Sequence, residues 1–456
     1  MRVFHGLLPT VCICALSAAA AGQAGGPVVA LPSPDAYYQP ATGGEGHVEL
    51  TESSRNVEVV VNAQLHASGE IAAGLATYLA DIRLQGYTPI LTTTGFADAA
   101  ALRAHLAARR AAEGLAGAVL IGDLPAAYYE IAEHTDAFGY DWEYESFPSD
   151  LYFQDLDGAW TDADADGSHD GHAGNVAPEI WLGRLVTHQQ VSLHPGRTEA
   201  GLLNDYFARN HAYRFGRLGV PEDALAYIDD DWAGYWGSRW AADLAAAVGG
   251  AVTRIDQAAT TTAWDYKQRL QAGWEHVLLC AHSNVVLHRF KIGDDWAGGD
   301  VLNADLAPAD PNVLFYNLYA CSSGRLDREG FLAGEYVFGT NMGLLAVTSA
   351  KTGSMLEFDD YFDPLGDGRT FGGAWLSWWA QRAVGGFSAG EKDWHYGMTL
   401  LGDPLLVTQA YLPIPEPAAL SLLSLGLAAV VRRRRPRRGA MTFAVFTKQS
   451  RRRLCL

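Results

Sequence analysis

The sequence predicts an α/β fold of two consecutive doubly wound, mainly parallel sheets, and three observations lead there. Short apolar runs alternate with longer helical runs, the alternation occurs twice along the chain, and 456 residues at 49% hydrophobic supply core for two or three domain-sized units. In the first half, Asn56–Val61 reads as a strand, Ser68–Gln85 as a helix closed by Gly86, and Thr88–Thr94 as a strand. Ala97–Glu113 is an Ala-rich helix and Gly117–Asp123 a buried strand, which completes βαβαβ and, by crossover handedness, a parallel sheet. A long acidic loop follows, then a strand at Pro178–Val186 and a helix at Arg197–Phe215. The second half repeats the alternation: strand Ala224–Ile228, helix Gly237–Val248, strand Val252–Asp256, helix Thr262–Gln271, then strands His276–Ala281, Asn312–Tyr319 and Gly343–Ser349. The expected subdomains are 51–216, with the acidic loop at 150–175, and 217–410.

Both ends read as addresses. Arg2 followed by the apolar run Leu7–Ala21 and small residues to Ala24 has the layout of a secretory signal peptide, residues 1–24, which implies a signal peptidase as partner; 25–50 then form a linker. Near the other end, Pro415-Glu416-Pro417 precedes fourteen mostly apolar residues, Ala418 to Val431, and then Arg432-Arg433-Arg434-Arg435. Fourteen helical residues reach about 21 Å, short of the roughly 30 Å hydrocarbon core, so a marginal transmembrane anchor is the plain alternative. The order of elements across 411–438 resembles the PEP-CTERM signal of exported bacterial proteins. That resemblance implies an exosortase-type sorting enzyme, a transient inner-membrane intermediate, and a final place at the cell surface or in the extracellular matrix. The chain departs from the pattern in continuing past the arginines through 439–456, a tail to which no role is assigned.

Charge narrows the function classes. The formal net charge is −19, yet ten of the 33 basic residues lie in 432–456; 22 basic against 52 acidic residues remain between 27 and 431. Such a body repels nucleic acid and suits cations or basic peptide segments. Of five cysteines only Cys280 and Cys321 lie in the body, too few for a disulfide framework, although one bridge between them is conceivable in an exported chain.

Two segments carry chemistry. The acidic loop holds seven aspartates from Asp150 to Asp170, and Asp162-Ala-Asp164-Ala-Asp166-Gly167-Ser-His-Asp170 matches the first nine positions of a calcium loop. The twelfth position is Ala173 rather than Glu, so Asp155 and Asp157, with Asn175 or Glu179, are expected to complete a structural Ca²⁺ site; a merely solvated loop is the alternative. His169 and His172 do not make zinc the better reading, because the surrounding donors are oxygens. The other segment is a pair of strand ends. His276–Ala281 finishes at His282-Ser283, and Asn312–Ala320 finishes at Cys321. In an open parallel sheet the ligand crevice lies beyond the carboxyl ends of strands, and a thiol there needs a base or an imidazolium partner to act as a nucleophile.

The His and Ala-Cys strand ends, with Val119–Pro125, Ser149–Tyr152 leading to Asp155–Gly158, Glu179–Leu185, Asn317–Gly324 and Leu401–Leu405, resemble in order the gingipain family of caspase-like cysteine peptidases across residues 55–408. The resemblance implies Cys321 as nucleophile, His282 as general acid/base, backbone N–H groups of Cys321 and Ser283 as oxyanion donors, and an aspartate of Asp229-Asp230-Asp231, namely Asp229 or Asp231, to orient His282. The family's His-Gly is His282-Ser283 here, which places a Cβ where glycine is usual. Cys280 is expected in the core, His288 is a weaker competitor as base, and the Trp375, Trp378 and Trp379 segment is expected to be core. The expected function is therefore a calcium-stabilised, exported cysteine endopeptidase acting on protein or peptide; the alternative is an inactive, peptidase-like surface or biofilm-matrix protein that binds calcium.

Overall fold

The computed structural model describes residues 54–135, 141–234 and 237–412. The signal peptide, the linker before residue 51, the sorting tail and the terminal extension lie outside them. Ten strands form a single sheet: β1 Asn56–Val61, β2 Thr88–Thr92, β3 Leu115–Ile121, β4 Trp181–Leu185, β5 Ala224–Ile228, β6 Val252–Ile255, β7 Trp274–Cys280, β8 Val313–Tyr319, β9 Leu345–Ser349 and β10 Met398–Gly402. Their spatial order is β6-β5-β7-β8-β9-β10-β4-β3-β1-β2.

The two expected sheets are thus two runs of one sheet. Every pair is parallel except β9 with β10, which are antiparallel in the register Leu345↔Gly402 to Ser349↔Met398, while β10 is parallel to β4. The last of the described strands therefore joins two oppositely directed parallel blocks, and no separate boundary near 216 divides the unit that runs to Pro413. Close approach at this seam depends on glycine: Gly402 has φ +107°, and a Cβ there would stand 2.2 Å from the Leu344 carbonyl oxygen.

Helices cover both faces where the sequence pattern requires burial. Asp98 caps Ala99–Glu113, whose Leu102 and Leu106 join Val60, Leu120 and Leu182 in one core. Thr198 caps Glu199–Arg214, and Leu203, Tyr206 and Tyr213 of that helix enter the larger core that runs under both blocks. The predicted Ser68–Gln85 helix is two helices, Ala63–Ser68 and Ala72–Leu84, because Gly69 adopts φ +75° and ends the first. Trp375, Trp378 and Trp379 are fully buried on the helix Phe371–Arg382, as core.

Because the blocks run in opposite directions, the carboxyl ends of β7 and β8 share an edge with the amino ends of β4 and β10. The long connection from β3 to β4 reaches this edge. Its strands Tyr128–Ile131 and Glu145–Pro148 pair antiparallel, and Ser168–His169 adds parallel to the first. Buried Arg184 of β4 donates to Asp150 (2.8 Å), and Thr399 of β10 donates to the other oxygen of Asp150 (2.7 Å), so the connection is fastened to the seam. Asp403 likewise accepts from Asn210 (2.9 Å) and pairs with Arg214. Several of the motif residues thus hold the scaffold rather than face the crevice.

Candidate active site

β7 and β8 pair in parallel with Cys280 opposite Tyr319, and the Ala281 N–H continues the ladder to the Tyr319 carbonyl (3.1 Å). His282 and Cys321 each come two residues past the ends of these neighbouring strands. After Cys321 the chain turns sharply. Ser322 adopts φ +54°, its N–H donates to the Lys351 carbonyl (2.9 Å), and the Gly324 N–H donates to the Ser349 carbonyl (2.8 Å). Ser323 Oγ sits between the Ala320 carbonyl (3.1 Å) and Thr348 Oγ1 (2.7 Å), which locks the turn onto β9.

His282 is held on three sides. Its Nε2 lies 2.6 Å from Asp231 Oδ2, its ring centroid is 4.7 Å from that of Trp232, and Trp296 meets it edge-on at 4.9 Å. The neighbouring aspartates do different work. Asp229 Oδ2 accepts the Lys291 N–H (3.0 Å) and Asp230 Oδ2 accepts the Gly293 N–H (2.5 Å), so both bind the backbone of the hairpin formed by Leu287–Ile292 and Asp295–Leu302. Of the two aspartates expected to orient the histidine, Asp231 reaches it; Asp229, fully buried, serves the hairpin instead. Burial pushes the Asp229 carboxyl up to about 7. Burial opposes ionisation of Asp231 as well, yet hydrogen bonds with His282 and Lys291 hold it below the usual carboxylate range.

Cys321 is fully buried. Burial pushes its thiol up to about 12; the Gly353 N–H and the Lys351 charge work the other way, and Glu145 adds to the rise. Lys351 is itself buried, bonded to the Thr352 and Asp393 carbonyls, with Nζ 4.9 Å from the Trp142 ring centre. Glu145 accepts the Thr352 N–H (3.2 Å), so the acidic connection forms part of the wall beside the thiol. Ser283 is not among the described residues with positive φ, and its Oγ donates toward the Asn284 and Leu287 carbonyls (3.0 Å each). The backbone at position 283 therefore accommodates a Cβ without left-handed strain.

The competing cysteine and histidine lie elsewhere in character. Cys280 and Cys321 are free thiols, and Cys280 is packed in the core with its thiol driven well up by burial. His288 stands between Tyr266 and Tyr336, where burial depresses it to about 3. Lys291, Trp296, Lys351, Gly353 and Glu145 were not anticipated. They reach the site from hairpins and from the turn after β9, whose contacts leave no local spacing signature.

The acidic connection divides the six aspartates expected to share one ion. Asp162 turns its oxygens to the Ala165 (2.7 Å) and Gly167 (3.0 Å) N–H groups, and Asp170 accepts the Ala163 N–H (3.1 Å). Asp164 and Asp166 instead approach Glu130, while Asp155 and Asp157 approach Glu179; in each trio ligand oxygens lie within 4.8 Å of one another. Burial pushes Glu179 up to about 7, with Asp155 and Asp157 adding to the rise. Asp155 is also bonded to His172, whose Nδ1 meets the Tyr396 hydroxyl at 2.7 Å.

Comparison with known proteins bears on the far end of the chain. A PEP-CTERM protein-sorting motif matches residues 413–435. It marks the protein as exported, with a membrane-anchored sorting intermediate and an exosortase-type enzyme as partner. No curated protein matches the chain. Among the described residues, no helix is long and apolar enough to cross a membrane.

Proposed function

We propose that this PEP-CTERM protein is a gingipain-like cysteine endopeptidase that acts at the cell surface. The observation that carries the reading is the Asp231–His282 hydrogen bond at 2.6 Å, with His282 and Cys321 each two residues past the end of adjacent parallel strands. With Nε2 bound to Asp231, Nδ1 is the nitrogen that serves the thiol. It takes the Cys321 proton as sulfur attacks the carbonyl carbon, and the carbonyl π electrons pass to an oxyanion facing the Cys321 and Ser283 N–H groups. Collapse of that intermediate breaks the C–N bond, with the imidazolium giving its proton to the departing amine, and leaves a thioester. Water, deprotonated by His282, then releases the acid and restores the thiol. Structural Ca²⁺ bound by the carboxylate trios of the acidic connection belongs to the same reading, and it would brace the wall that includes Glu145.

A second reading, an inactive surface-binding protein on this scaffold, is favoured by one observation: His282 and Cys321 are both fully buried, with the thiol pushed to about 12. Incubating the full chain with a mixed peptide library, with and without Ca²⁺, and reading products by mass spectrometry separates the two. Cleavage that disappears in Cys321→Ala supports the peptidase. Folded, Ca²⁺-loaded protein that cuts nothing in a Cys321-dependent way removes that reading.

A further inference from the structure

Asp231 Oδ2 serves two nitrogens at once. It lies 2.6 Å from His282 Nε2 and 2.7 Å from Lys291 Nζ. Two nitrogens bonded to one oxygen stand roughly 5 Å apart or closer, so the ammonium is a near neighbour of the imidazole as well as of the carboxylate. Nothing about Lys291 is accidental in its placement. Its N–H is fixed by Asp229, the following turn by the Asp230 bond to Gly293, and its Nζ lies 5.0 Å from the ring centre of Trp296, the same indole that closes over His282. Three consecutive aspartates thereby hold one hairpin so that its lysine and tryptophan cap one histidine. The Lys291 side chain is only 14% exposed, so water screens the interaction weakly.

We infer that Lys291 is a positioning residue that pins Asp231 and, by competing for the same oxygen, lowers the basicity of His282. The inference rests on the reading of His282 as the general base and adds the group that tunes it. The charged and titratable groups around the imidazole are Asp230 and Asp231 from the end of β5 and Lys291 from the hairpin, with Cys321 two residues past the end of the β8 strand that pairs with β7. The two aspartates favour the imidazolium and Lys291 opposes it. A cation at this separation, in surroundings between bulk water and a dry interior, moves a neighbouring titration by about one pH unit.

The test is a ¹³Cε1-histidine NMR titration of the full chain, with the His282 resonance identified by its loss in His282→Gln. Lys291→Met is expected to raise the His282 midpoint by about one pH unit, and Lys291→Arg to restore it. Lys291→Gln keeps a donor to Asp231 without the charge, and so reports the same shift if the methionine variant does not fold. The rate of Cys321 alkylation by iodoacetamide against pH is expected to move its acid limb in the same direction. An unchanged or lowered midpoint in the uncharged variants overturns the inference. The outcome is separable from the peptidase reading: a raised midpoint without peptide cleavage retains the role of Lys291 and removes the enzyme, whereas cleavage with an unmoved midpoint does the reverse.

Discussion

Two of the histidine–carboxylate couples among the described residues have opposite surroundings. His172 bonds Asp155 through Nε2 and Tyr396 through Nδ1, and it stacks on Trp160 with centroids 3.8 Å apart; both side chains of the couple are 0% exposed. His282 bonds Asp231, whose side chain is 32% exposed and shared with a lysine. In the first couple both ring nitrogens are committed to fixed partners, so the imidazole acts as a strut between the acidic connection and the segment before β10. In the second, one nitrogen is oriented by a carboxylate that water and an ammonium also reach. Composition alone does not distinguish a strut from a base; the partner of the second nitrogen and the exposure of the carboxylate do.

Asparagine at position 231 breaks the comparison most strongly. Asp231→Asn removes the negative charge and can present an N–H to His282 in place of an acceptor, so the tautomer is no longer selected, and cleavage is expected to fall on the order of 10²–10⁴-fold, as for orienting carboxylates in comparable triads. Cys321 alkylation at neutral pH should slow with it. Asp155→Ala should leave the alkylation rate of the folded protein unchanged and instead lower unfolding free energy by about 3 kcal/mol, because His172 and the Gly158 N–H lose a buried acceptor. Urea unfolding and alkylation measured on both variants give the crossed pattern; equal effects of the two substitutions on alkylation would remove the distinction between strut and base.

Much of this was legible in the chain. Thirteen-residue and longer helices and the apolar strands β1, β3, β5, β7 and β8 follow from periodicity, since a strand covered on both faces must be apolar throughout and a helix must show a stripe. His282 and Cys321 each follow the end of such a strand, and those two strands are neighbours. What periodicity does not encode is direction between distant blocks. β10 is five residues long and pairs across a gap of some two hundred residues with β4 and some fifty with β9, so the single sheet was invisible as local pattern. The acidic segment groups its carboxylates differently from the spacing for a related reason. Spacing matched a calcium loop, but short aspartates also bond their own backbone two or three residues on, and Asp162 does so, while Glu130 joins Asp164 and Asp166 only through the pairing of Tyr128–Ile131 with Ser168–His169. Asp229, Asp230 and Asp231 looked interchangeable because three adjacent carboxylates differ only in where the chain points them.

That last contrast gives the smallest and sharpest test. Burial raises Asp229 to about 7 in the folded protein, whereas the unfolded chain titrates near the ordinary value of about 3.9. Between those values the folded state holds an extra proton, so the stability linked to Asp229 is fully present below the unfolded value and is lost as pH rises through about 7. Asparagine imitates the protonated form and keeps an oxygen for the Lys291 N–H. Asp229→Asn is therefore expected to be nearly neutral at pH 4 and to stabilise by about 2 kcal/mol at pH 8, read from urea unfolding at both values. Asp231 is shifted the other way, held down by His282 and Lys291, so its contribution is present at pH 8 and lost as pH falls through its folded value. Asp231→Asn should accordingly destabilise at pH 8. Opposite signs at two positions separated by one residue follow if the backbone carboxylate and the imidazole carboxylate are distinct; the same sign at pH 8 would mean that burial does not raise Asp229 and that its bond to the hairpin, like the bonds of Asp231, favours the ionised form.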